Sequence, residues 1–154
     1  MQAYQVEGEE ELTVKQYLRQ IERLENIIDN KLAEIFQMRV LSQSISAVRT
    51  DTERVQTSGS MDPLGDCIAR IEQLEQRAAE LVSLYRERRS LIIQQLEGMD
   101  NPVYYSILFD RYVLRMNFEQ IADKHNYSVR HVIRLHGDAL VAFGGQYDVH
   151  DIAG

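Results

Sequence analysis

Ser128, Val129, Arg130, His131 and Arg134 fall within one stretch of seven residues, and their side chains are of the kinds that hold anions and base edges. Arg130 and Arg134 are four apart, so on a helix they lie on one face a turn from each other. A guanidinium can set two parallel N–H donors on guanine O6 and N7, or on a phosphate. His131 can donate to either, and Val129 can touch a thymine methyl group. Ser128 precedes a run with helical periodicity, so it is an N-cap, and the free backbone N–H groups behind it suit a phosphate. Lys124 and Arg115, together with Arg111, add cations able to hold flanking phosphates.

Other chemistries find less support. His125, His131 and His136 are six and five residues apart, whereas two imidazoles reach one ion from a helix at a spacing of four, so no metal site is expected. Cys67 is the only cysteine. It can make neither an internal disulfide nor a thiolate cluster, and it reads as a small apolar residue near a helix start, consistent with a reducing, intracellular compartment. The stretch TSGS at 57–60 follows no strand and reads as a linker rather than a phosphate cradle. There is no Ser/His/Asp arrangement with supporting context, and the carboxylates are spread along charged helix faces. Neither an enzyme nor a cofactor is expected.

The elements that would present the two arginines are legible in NFEQIADKHNYSVRHVIRLHGDALVAF, residues 117–143. Asn117 and Gln120 form a capping-box pattern for a helix over 118–124. Ala122 is small where a second helix must cross closely, and Phe118 and Ile121 fill the core beside it. The turn His125-Asn126-Tyr127 needs a residue tolerant of left-handed backbone, and Asn126 is one; Tyr127 is expected to fold back onto the core. In the next helix Val132, Leu135, Ala139, Leu140 and Phe143 recur at helical spacing and form the buried face. Arg130, His131 and Arg134 lie opposite, with Val129 at the leading edge, and Gly144-Gly145 are expected to end the helix. Upstream, Asp100 or Asn101 caps a helix with Pro102 in its first turn. It runs to about Arg115, with Val103, Ile107, Leu108, Tyr112 and Val113 inward.

The first hundred residues have a longer rhythm. Val14, Leu18, Ile21, Leu24, Ile28, Leu32, Ile35 and Leu41 step mostly by three and four, which predicts one long helix over 13–47 capped by Thr13. Residues 48–62 are polar and aperiodic and read as a loop. Asp62 and Pro63 open a second long helix over 63–97, with Ile68, Ile71, Leu74, Ala78, Leu81, Tyr85, Ile92 and Leu96 along its stripe and Gly98 at its end. Two such helices should pair as an antiparallel coiled-coil hairpin. Ile27, Phe36, Val82 and Ile93 are left over, and they suggest a second seam filled by another copy of the chain or by the C-terminal helices.

The totals set bounds on all of this. A chain of 154 residues, 44% apolar, has room for one domain or a small domain with an extended module. A net charge of −7 argues against a polyanionic partner until its distribution is read. Residues 111–136 hold five Arg or Lys against two acids, a local balance of +3 that leaves −10 for the rest. Attraction to phosphate is local, since screening acts over about 8 Å at physiological salt, so a small basic patch on an acidic chain can still meet DNA. The start, MQAYQVEGEEEL, has no basic opening and no apolar run, so it is not expected to be a signal peptide. No run approaches about 18 apolar residues, so no membrane partner is expected.

The stretch DNPVYYSILFDRYVLRMNFEQIADKHNYSVRHVIRLHGDAL resembles region 4 of bacterial sigma factors, with Phe118-Glu119-Gln120-Ile121-Ala122 in its first helix. The whole arrangement resembles small phage and prophage late transcriptional activators of the ArpU/RinA kind. The resemblance spans most of residues 13–143, and VQTSGSMDPLGD and RLHGDAL also carry it. It implies duplex DNA as ligand, activation of a late gene block, and contact with host RNA polymerase in the bacterial cytoplasm. The expected organisation is all-α: an acidic tail at 1–12, a helical hairpin and oligomerisation module at 13–98, a helix-turn-helix unit at 100–143 and a flexible tail at 144–154. A homodimer or small homo-oligomer would place two reading helices on one duplex. Two other readings compete: a small-terminase-like packaging protein, and a coiled-coil scaffold that binds no DNA.

Overall fold

Asp62 sits where Pro63 removes an N–H that would have no partner, and it caps the helix that follows. Its carboxylate accepts from the Gly65 N–H at 3.1 Å and its carbonyl from the Asp66 N–H at 2.9 Å. In the computed structural model, which describes residues 13–51 and 62–149, this helix, α3, spans Pro63–Glu97. Residues 13–18 form α1, and α2 spans Gln20–Asp51. Helical hydrogen bonds cross the junction, from Arg19 N–H to the Lys15 carbonyl at 2.9 Å and from Arg23 N–H to the Arg19 carbonyl at 3.0 Å. Arg19 therefore marks a local irregularity rather than a break. α2 also continues past residue 47, into the stretch read as loop. No Gly or Pro stands between Ser46 and Asp51, so nothing there forces the chain out of the helix. The expected acidic tail 1–12 and most of the expected loop lie outside the described residues.

The described residues are all-helical, with no strand. None of their helices is long and apolar enough to cross a membrane. The chain divides into two compact units: Met1–Arg23 with Tyr85–Gly154, and Leu24–Leu84.

In the second unit α2 and α3 run antiparallel. Ile35, Leu74 and Ala78 are buried between them with Met38 and Ile71 alongside, and the Cys67 thiol donates to the Met38 carbonyl at 3.3 Å. Arg70 pairs with Glu34 at 3.0 Å, and Arg39 pairs with Glu75. Hydrogen bonds from Lys31 and Arg70 hold the Glu34 carboxyl below the usual glutamate range. The seam corrects the expected stripes at three places: Leu32 is 53% exposed, Leu41 48% and Ile68 47%. Along α2 in this unit, the buried position 35 and the half-buried positions 24, 28, 31, 38, 42 and 45 form one line. This is a coiled-coil spacing of three and four that carries Lys31 and Ser42 inward and leaves Leu32 and Leu41 off the line.

The first unit is built around α6, Val129–Gln146. Ala139, Leu140 and Phe143 meet Val14, Leu18 and Ile21 from the N-terminal helices, Ile92 and Leu96 from α3, and Leu108. Tyr17 donates to the buried Gln95 amide oxygen at 2.5 Å, and burial lifts the phenol above the usual tyrosine range. α4, Pro102–Leu108, starts at Asn101, whose side chain accepts from the N–H groups of Val103 and Tyr104. It does not run on as an α-helix to Arg115. Phe109–Val113 wind as a π-helical turn, closed by Leu114 N–H to the Phe109 carbonyl at 3.1 Å. One extra residue in the turn accommodates Asp110, Tyr112 and Val113 all on the inside. Gly144 and Gly145 do not end α6. A Cβ at Gly144 would sit 3.0 Å from Val14 Cγ2, so that glycine permits close packing instead of stopping the helix. Of the expected flexible tail, the described part is held rather than frayed: the Gln146 amide donates to the Gly98 carbonyl at 2.7 Å, Tyr147 Oη donates to the Gln95 carbonyl at 2.8 Å, and Val149 is buried, while residues 150–154 lie outside the described residues.

Candidate nucleic-acid interface

α5, Phe118–His125, and α6 are joined by three residues. The capping box is present in full: the Asn117 side chain accepts from the Gln120 N–H at 2.8 Å, and the Gln120 side chain accepts from the Asn117 N–H at 2.9 Å. Asn126 has φ 57° and ψ 41°. Tyr127 N–H reaches the Ala122 carbonyl at 3.0 Å and Asn126 N–H the Asp123 carbonyl at 3.4 Å, the two bonds of a Schellman ending. Ser128 then caps α6 by accepting from the His131 N–H at 3.1 Å. Ile121, Ala122 and Val132 are buried together with Ile107, and Phe118 and Leu135 pack against them. The small Ala122 thus lies in the core where α5 and α6 meet.

This packing leaves Ser128, Arg130 and Arg134 exposed on α6 and its cap, with Val129 at 40% exposure and His131 half-buried. Arg134 donates to His131 Nδ1 at 2.8 Å. A guanidinium cannot accept, so Nδ1 is the acceptor and the proton of the neutral ring sits on Nε2, which remains a donor. Arg130 has neither ion pair nor hydrogen bond among the described residues. Tyr127 does not fold onto the core as expected. It is 36% exposed, stacked on His125 with ring centroids 5.8 Å apart, and it meets His131 edge-on at 4.9 Å. The core space is already taken by Phe118 and Leu135, and the ring caps the turn from outside.

The other predicted cations are otherwise engaged. Lys124 donates to the buried carboxylate of Asp110 at 2.6 Å, and His125 Nε2 lies 2.8 Å from the same group. A carboxylate only accepts, so His125 Nε2 carries a proton. Asp110 thereby ties the C-terminal turn of α5 to the π-helical turn, and Lys124 spends one of its donors there. Arg111 bonds the Met116 carbonyl at 3.1 Å and covers the Phe118 ring at 4.4 Å, a packing role. Arg115 has φ 59° and lies 3.5 Å from Glu22, away from the Arg130–Arg134 ridge in sequence and in partners. His136 is buried, 2.9 Å from Tyr112 Oη and stacked against that ring. Among the described residues no three His, Cys, Asp or Glu gather as metal ligands.

Two residues escaped sequence reasoning. Nothing in the sequence singles out Asp110, and only the π-helical turn brings it inside. Ile133 is 50% exposed beside the arginines; its absence from the buried set 132, 135, 139, 140 and 143 was the available signal. No protein-family model, no curated protein and no solved structure matches this chain.

Proposed function

We propose that this protein is a sequence-specific duplex-DNA-binding transcriptional regulator and that α6 is its reading helix. The supporting observation is the exposed ridge of Arg130 and Arg134 at the capped N-terminal end of α6, with Arg130 unpaired among the described residues. A helix of this length fits the major groove. Arg130 and Arg134 would take guanine edges or phosphates, His131 Nε2–H would donate, and the Ser128 end of the helix would face a phosphate. Lys124 and Arg115 would contribute at most by exchanging protein partners for phosphates. The resemblance to late activators extends the proposal to activation of phage late genes through host RNA polymerase in the bacterial cytoplasm. A homodimer would present two reading helices and raise affinity through effective concentration.

The test is fluorescence anisotropy against tiled fragments of the DNA flanking the gene at about 150 mM salt, a strength at which specific and non-specific affinities separate. Arg130→Ala and Arg134→Ala should each cost about 1–3 kcal/mol on the preferred fragment if they read bases. A uniform loss on all fragments would make them phosphate contacts, and no binding to any fragment would end this reading. A scaffold without DNA binding is the second reading. It is favoured by Phe36, which stands 68% exposed on the hairpin, and it would take the place of the first if no fragment binds.

A further inference from the structure

The outward face of α6 carries more than its arginines. Val129 and Ile133, one turn apart, are 40% and 50% exposed. They form an apolar flank along the ridge of Arg130 and Arg134. Gly137 follows one turn after Ile133 on the same side. A Cβ placed at Gly137 would meet nothing within 4 Å, so no neighbour inside the protein requires a glycine there. A glycine in a helix interior weakens it relative to alanine, and close approach of a ligand is one of the few things that compensates. Two costs therefore coincide on one face: apolar side chains left in water, and a helix-weakening residue with no packing reason.

We propose that Ile133, with Val129, reads thymine through its 5-methyl group, and that Gly137 leaves room for the duplex to seat against α6. The proposal rests on α6 being the DNA-reading helix. The adjoining charges select this occupant. An apolar protein surface would bury Arg130 and Arg134 against carbon, whereas the major groove sets thymine methyl groups beside guanine acceptors and phosphates. The strip also has the right length. Val129 to Gly137 rises about 12 Å along the helix, at about 1.5 Å per residue, a length that passes about three to four base pairs at about 3.4 Å each. The preferred site should then hold thymine next to the guanines taken by the arginines.

The tightest fragment of the tiled set is amplified once with dTTP and once with dUTP, which removes only the methyl groups, and both products are titrated by anisotropy. Wild type should lose about fourfold per contacted methyl, the equivalent of one buried CH2, and Ile133→Ala should lose much of that discrimination. Gly137→Ala should melt a few degrees higher yet bind the dTTP fragment several-fold more weakly, a pairing that misfolding cannot produce. Equal wild-type affinity for the two products, or undiminished binding by Gly137→Ala, overturns the proposal. If Arg130→Ala still weakens binding in that case, the DNA reading stands without it. If no fragment binds wild type at all, both fail together.

Discussion

Tyr17 shows how much a single side chain can settle that its spacing does not announce. Its hydroxyl is buried and donates to Gln95, itself only 9% exposed. Tyr17→Phe should cost about 1–2 kcal/mol at neutral pH, because the Gln95 oxygen loses its donor inside the protein. The pH dependence follows from burial, which raises the phenol's folded pKa, while the Gln95 bond and the Arg88 charge oppose the rise. A raised folded pKa means that the neutral-phenol contribution is complete below the unfolded value of about 10 and is lost as pH rises through the folded value. Denaturant titrations should therefore show the gap between wild type and Tyr17→Phe narrowing above about pH 10. A gap that stays constant would mean the hydroxyl contributes nothing through its ionisation. Asp110 and Arg115 belong to the same scale. Neither a buried acid that draws in Lys124 and His125 nor an arginine at φ 59° leaves a mark in residue type, because both depend on a backbone irregularity between them.

Among the elements, the caps carry the most readable information. Asn101, Asn117, Asn126 and Ser128 each do in the structure what their residue type allows, since a cap depends on bonds spanning two to five residues. Asn126 gives a direct check. At φ 57° glycine is at ease, so Asn126→Gly should alter stability by less than about 0.5 kcal/mol, whereas Asn126→Val should cost about 1–2 kcal/mol or more, because a β-branched residue is poorly suited to left-handed backbone. Thermal unfolding of the two variants separates them, and equal losses would remove the left-handed turn from the account. The π-helical turn at Phe109–Val113 was not readable, since PVYYSILFDRYV has no Gly or internal Pro to mark it. The glycine pair 144–145 misled for the opposite reason: a residue that often ends helices here admits Val14.

At the scale of the whole molecule, charge and uncovered apolar surface matter most. A chain of net charge −7 gains little general attraction to DNA, so binding must come from a few local contacts, doubled if two chains act together. Leu32, Phe36 and Val40 follow at four-residue steps on α2 and are 53%, 68% and 46% exposed. If this ridge joins two copies, Phe36→Ser should leave the melting of the monomer nearly unchanged and shift the sedimentation of the protein from dimer to monomer. A wild type that sediments as a monomer throughout the accessible concentration range would remove the paired-reader mechanism while leaving single-site reading intact.

What the sequence by itself determined is local. Helical periodicity, N-caps, the Pro63 start and the left-handed Asn126 all act within a turn or two of the chain, and they were sufficient for an all-α fold, for α3 from Pro63 to Glu97 and for the outward placement of Arg130 and Arg134. The tertiary structure decided what depends on residues far apart: which of several apolar steps on α2 becomes the seam, why Leu32 and Leu41 lie off it, how Asp110 comes to engage Lys124 and His125, and why Tyr127 stays outside. The physical reason is competition for buried space. Periodicity marks every side chain that could go inside, and only the packed partners decide which ones do.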